Sequence, residues 1–160
     1  MGGTVLEIDI PGFGHLRLEH LVSDFSGTLS VDGKLLPGVR DRLNKISEIM
    51  AVHILSADTF GCAQEELLEV ACEIRILDGH DHDLQKEIYV KKLGCERVVA
   101  LGNGNNDRKM LKAARLGIAV TESEGCAVDA MLAADIHVHG ALDGLDLLLS
   151  PKRCKATLRL

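Results

Sequence analysis

Leu21-Val22-Ser23-Asp24-Phe25-Ser26-Gly27-Thr28-Leu29 is an apolar run that ends on an acid and passes at once into a glycine turn. In an open α/β sheet, a carboxylate at the carboxyl end of a buried strand stands where such folds place their ligands. Asp24 is therefore the first candidate for a nucleophile.

Outward from this stretch the pattern recurs. Apolar runs lie at 20–24, 51–55, 73–77, 97–101, 117–120 and 135–138, with helical-period segments or tight turns in the intervals. The spacing predicts a helix at 38–49, where Val39, Leu43, Ile46 and Met50 share a face, and another at 60–71 with Leu67, Leu68, Val70 and Ala71. Further helices are predicted at 84–93, 107–115, 125–133 and 143–149. Strand and helix in alternation give a parallel sheet covered on both faces, which is an α/β fold with a three-layer, doubly wound parallel sheet. Residues 4–18 alternate around Pro11-Gly12-Phe13-Gly14 and read as an N-terminal β-hairpin. No linker or repeat interrupts the series, so one domain over 1–160 is expected, with its core at about 19–150. The tail from Pro151, carrying Lys152, Arg153, Lys155 and Arg159, reads as a solvated end.

Bulk composition narrows the function. The chain has 160 residues, 46% of them hydrophobic, enough to bury a substantial core. Three Phe, one Tyr and no Trp leave no stacking platform for single-stranded nucleic acid. A net charge of -6 argues against a polyanion-binding surface. Five widely spaced cysteines without a CxxC signal neither a disulfide framework nor a zinc site. No basic, apolar leader and no membrane-length apolar run is present, so a cytoplasmic protein with reduced thiols is the expectation.

Four polar signals sit at strand ends or helix starts. They are Asp24 with Ser26, Gly27 and Thr28; Ser56 after Val52-His53-Ile54-Leu55; Lys86; and Gly102-Asn103-Gly104-Asn105-Asn106-Asp107 after Val98-Val99-Ala100-Leu101. In a parallel sheet all strand carboxyl ends open on one edge, so these groups can converge. A phosphoryl group needs a nucleophile, a hydroxyl and a cation for its oxygens, and a carboxylate-bound Mg²⁺ to offset charge. Asp24, Ser56, Lys86 and Asp107 supply one of each.

In that order the four motifs resemble the haloacid dehalogenase-like superfamily of aspartate-nucleophile phosphohydrolases, and most closely the phosphorylation domain of P-type ATPases, over about residues 19–150. The resemblance implies that Asp24 attacks phosphorus and becomes an aspartyl phosphate. It further implies that the Ser26 carbonyl helps to ligate Mg²⁺, and that Ser56 and Lys86 hold the phosphoryl oxygens. Phe25, Ala57 and Asn106 are implied to line the phosphate site, and Asn103 and Asp107 to complete the metal site with Asp24 and Ser26.

Two residues depart from the family. Ser26 stands where the phosphatases usually carry a second Asp as general acid and base, and a hydroxyl has no pKa near 7; a slow enzyme that favours good leaving groups, such as acyl or aryl phosphates, is expected. Asn103 replaces the usual first acid of the Gly-Asp-Gly loop, and an amide oxygen is a weaker ligand for a hard cation; loose Mg²⁺ binding is expected.

Other readings stay open. A receiver-like phospho-accepting switch also uses Asp, Ser or Thr, Lys and Mg²⁺, but places its acids in a different order. A non-catalytic phosphate or metal binder is compatible with Ser26 and Asn103. The 102–107 loop partly mimics a dinucleotide fingerprint, yet Asp107 occupies the third glycine's place. His80-Asp81-His82-Asp83 reads as a polar loop, and His137 with His139 as an edge pair. Val31-Asp32-Gly33-Lys34 resembles the superfamily's flap turn, and the short spans from Asp24 to Ser56 and from Ser56 to Lys86 hold no cap domain. An uncapped site implies a homo-oligomer, such as a tetramer, closing over a small phosphorylated substrate.

Overall fold

The computed structural model describes residues 5–57 and 61–160. A hairpin of β1 (Leu6–Ile10) and β2 (Gly14–Leu18) leads into β3 (His20–Asp24). Next come the small antiparallel pair β4 (Ser30–Val31) and β5 (Lys34–Leu35), α1 (Val39–Ser47), β6 (Ala51–Ser56), α2 (Cys62–Glu66) and β7 (Glu73–Ile76). The second half runs α3 (His82–Leu93), β8 (Val98–Gly102), α4 (Arg108–Ala113), β9 (Leu116–Val120), α5 (Val128–Ala133), β10 (Ile136–Val138), α6 (Ala141–Leu149) and α7 (Pro151–Leu158).

Six strands form one parallel sheet in the order β10-β9-β8-β3-β6-β7. The chain lays β6 and β7 on one side of β3, then returns to lay β8, β9 and β10 on the other. The order therefore reverses between β3 and β8, and the crevice beyond their carboxyl ends is where a doubly wound fold binds ligands. Asp24 ends β3 and Gly102 ends β8.

Both faces of the sheet are covered, as its apolar strands require. Leu21, Val52, Ile54, Val99, Leu101, Ile118 and Val120 pack with α1, α6, α7 and the hairpin. Val22, Leu55, Val98 and Ala100 pack with Val90, Met110, Leu111 and Ala130 from α3, α4 and α5. Among the described residues no cap domain interrupts the sheet: β3 and β6 are separated by the β4–β5 flap and α1, and α2 is the described element between β6 and β7. The flap turns through Asp32 (φ 52) and Gly33 (φ 79), the left-handed pair that a two-residue hairpin loop demands.

Two expectations are corrected. The helix predicted at 60–71 stops at Glu66; residues 58–60 lie outside the described residues. After Glu66 the backbone tightens, Leu68 N–H donating to Glu65 O and Val70 N–H to Leu67 O, because Ala63, Leu67 and Val70 bury while Leu68 is 81% exposed. The tail from Pro151 is not a solvated end but α7. Proline favours the first helical turn, and Cys154 with Leu158 one turn on makes an apolar stripe that docks on the core. Its lysines and arginines do face water.

Candidate active site

Asp24 carries its carboxylate at the end of β3, 6% exposed. Lys86 reaches it from α3. That helix begins at His82, so Lys86 lies on its second turn, on the same face as Val90 four residues later, and both are buried. Lys86 Nζ donates to Asp24 Oδ1 at 2.9 Å and to Asp107 Oδ1 at 2.7 Å. Asp107 is wholly buried; its Oδ2 accepts the backbone N–H groups of Asn103 and Gly104, each at 3.0 Å, and so folds the loop after β8 into a 3-10 turn, Asn105–Asp107. Gly102 makes this possible: a Cβ there would stand 2.5 Å from the Asp107 Cβ.

The turn after Asp24 completes the group. Gly27 takes φ +78, and a Cβ on it would meet Asn103 Nδ2 at 2.6 Å. Thr28, fully buried, places its hydroxyl 3.0 Å from Asp24 Oδ2 and 3.1 Å from Asn103 Oδ1. One hydroxyl proton serves one of these two acceptors at a time, which leaves the other oxygen short of a donor. Sequence reasoning grouped Thr28 with the Asp24 motif but gave it no role; its position four residues after Asp24, inside the glycine turn, was the signal.

The electrostatics follow from burial. Asp24 is pushed up to about 7, first by burial and then by the nearby charge of Asp107, against the pull of Lys86 and Thr28. Burial alone would discharge Lys86, but the charges of Asp24 and Asp107 hold its proton above the ordinary lysine range. When Asp24 is ionised, two carboxylates and one ammonium leave the cluster one negative charge in excess. That excess and the under-donated oxygens beside Thr28 suit a hard divalent cation. Asp24 and Asn103 offer side-chain oxygens to it. Among the described residues there is no group of three His, Cys, Asp or Glu that could hold a metal by themselves.

The remaining expected residues divide. Ser56 is buried at the end of β6, and Leu55 before it is in register with Asp24. Ser26, Ala57 and Asn106 are exposed at this same edge of the sheet. The Phe25 ring turns into the core, so only its backbone is left for the site. Elsewhere, Asp81 of the His80–Asp83 segment takes φ 57 and starts α3. His137 lies on the edge strand β10 against Thr121 Oγ1 at 2.6 Å and stacks edge-on with His139.

This arrangement has relatives. The sequence profile of haloacid dehalogenase-like hydrolases matches residues 82–130. The uncharacterized protein MJ0073 of Methanocaldococcus jannaschii is 43% identical over 91 residues, which is 57% of this chain and 88% of that protein. The phospholipid-transporting ATPase NEO1 of Saccharomyces cerevisiae is 25% identical over 146 residues, 91% of this chain but 11% of the ATPase. In fold, the chain is similar to the 3-deoxy-D-manno-octulosonate 8-phosphate phosphatase of Moraxella catarrhalis, solved with a magnesium ion and a phosphate ion, at a TM-score of 0.62 and 20% identity over 82% of this chain and 86% of that one. The chain thus carries the sequence signature of haloacid dehalogenase-like hydrolases over residues 82–130 and shares the fold of such hydrolases over most of its length.

Proposed function

We propose that the protein is a Mg²⁺-dependent phosphohydrolase that works through an aspartyl phosphate on Asp24. The observation that carries the reading is the buried Asp24–Lys86–Asp107 cluster at the point where the strand order reverses. A carboxylate oxygen of Asp24 attacks phosphorus, and the bond from phosphorus to the leaving oxygen breaks. Water then attacks the phosphorus of the acyl phosphate, releasing phosphate and restoring the carboxylate. Lys86 and the Ser56 hydroxyl hold the phosphoryl oxygens, with the backbone of Phe25 to Ser26 and Ala57 and the Asn106 side chain around them.

Asp24, the Ser26 carbonyl and Asn103 Oδ1 are the oxygens that would hold Mg²⁺; when bound, it offsets the charge of the phosphoryl group. Asp107 has both oxygens engaged already and serves as the counter-charge of Lys86 and the brace of the loop. Ser26 brings no acid to the leaving group, so the departing oxygen takes its proton from water and the enzyme is slow. The substrate class that fits is a small phosphorylated molecule with a good leaving group, such as an acyl or aryl phosphate. With no cap over the site, a second copy of the chain is the natural source of closure.

Rapid-quench trapping with radiolabelled acetyl phosphate, run beside turnover of p-nitrophenyl phosphate, tests this. A hydroxylamine-labile phosphoenzyme with slow Mg²⁺-dependent turnover, both lost in Asp24→Asn, is expected. Turnover that survives Asp24→Asn overturns the nucleophile. Trapping without turnover identifies a phospho-accepting switch, and neither activity identifies a binder.

A further inference from the structure

Asn103 does more in this fold than offer an oxygen. Its side chain makes two bonds of opposite sense: Oδ1 faces the Thr28 hydroxyl at 3.1 Å, and Nδ2 donates to the carbonyl of Gly125 at 3.1 Å. The orientation of the amide is fixed by chemistry, because a carbonyl oxygen only accepts. The Asn103 carbonyl in turn accepts the N–H of Ala127 at 2.7 Å. Asn103 thus holds both ends of the segment Gly125–Ala127, in the loop that follows β9. Gly125 bends there at φ +87, its N–H on Glu122 O at 2.8 Å. From the same loop, Glu124 Oε2 accepts the N–H of Asp32 at the tip of the flap, 3.1 Å away. Strand end, loop and flap are joined through these contacts, and the Asn103 amide is linked to Asp24 by the Thr28 hydroxyl that faces both.

We propose that Asn103 is a positioning residue that fixes the loop 121–127, and through Glu124 the flap, and thereby sets the mouth of the phosphoryl site. A carboxylate could not do this. An ionised Asp at 103 has no side-chain N–H, so its oxygen would face the Gly125 carbonyl, acceptor against acceptor. The residue that binds a cation best is the one that this loop rejects, and the amide keeps the loop at the expense of ligand strength. The effect on substrate rests on the phosphohydrolase reading; the effect on the loop does not.

Hydrogen exchange on the cation-free protein separates the two. Asn103→Asp is expected to speed exchange of amides 122–127 by about five- to tenfold, the opening shift that one hydrogen bond supplies, while β3 and β8 keep their protection. Glu124→Ala is expected to speed exchange at Asp32 and Gly33. In turnover of p-nitrophenyl phosphate, both variants raise KM more than they lower kcat. Wild-type exchange of 122–127 in Asn103→Asp overturns the proposal, and so does loosening that spreads equally through β3 and β8. If no variant or wild-type protein turns over, the phosphohydrolase reading falls and the exchange result still decides the role of Asn103.

Discussion

At the scale of single residues, the site is governed by how few charges compensate one another in a dry place. Asp24 cannot be fully ionised near neutral pH without help, since burial and Asp107 lift it to about 7; a divalent cation supplies that help in the proposed reaction. Two residues on, Ser26 is exposed, so nothing in the packing opposes a larger side chain there. Ser26→Asp is expected to speed hydrolysis of alkyl phosphates by about a hundredfold, the lower end of what a positioned acid contributes. Steady-state rates on matched alkyl and aryl phosphates check this, and the aryl rate should change far less. Asp24, Lys86 and Asp107 were legible in the sequence by type and order. The role of Thr28 was not, because a hydroxyl in a turn is common and only the meeting of β3 with β8 shows that this one faces both Asp24 and Asn103.

Among the elements, the feet of β3 and β6 carry a feature that the sequence did not disclose. His20 Nδ1 lies 3.0 Å from His53 Nε2, and His53 Nδ1 lies 2.8 Å from the Tyr89 hydroxyl of α3. The three groups satisfy one another when both imidazoles are neutral: Tyr89 donates to His53, and His53 donates to His20. Burial pushes both histidines below 6.5, aided by Arg97 at His20 and by His20 at His53. The unfolded chain therefore takes up these protons first as pH falls, and their contribution to stability is present above pH 6.5 and lost below it. Asp24 acts in the opposite sense, since its raised pKa favours the folded state as pH falls from about 7 toward 3.8. Urea unfolding at pH 7.5 and 5.5 isolates the histidines by comparison: His53→Gln is expected to lose less stability on acidification than the wild type. An equal loss in both proteins would show that the pair does not titrate with folding.

Over the whole molecule, the apolar layer that α1 and α6 cover is extended by the hairpin and α7. Arg115 sits 4.7 Å over the Phe13 ring, α7 packs on β1, and the Leu160 N–H donates to Pro11 O at 2.9 Å. Cys154 is fully buried at the centre of that contact. Cys154→Ser is expected to cost about 1–3 kcal/mol, because a buried hydroxyl without a designed partner carries its desolvation penalty. Urea unfolding of the variant measures it, and a change within error would mean that α7 contributes little to the fold.

The sequence by itself determined the class of fold and the order of its strands along the chain, because apolar runs of strand length separated by helical-period segments admit little besides a covered parallel sheet. It also brought Asp24, Ser56, Lys86 and Asp107 forward as candidates, since acids, hydroxyls and lysine at strand ends and helix starts are costly to bury without a partner. Only the tertiary structure decided which oxygens meet. That β3 lies between β6 and β8, that Lys86 bridges two carboxylates, that Asp24 and Asn103 both face the Thr28 hydroxyl, and that the tail is a docked helix are facts of contact between distant segments. Local periodicity reports the face a residue turns inward; it says nothing about what waits on the other side.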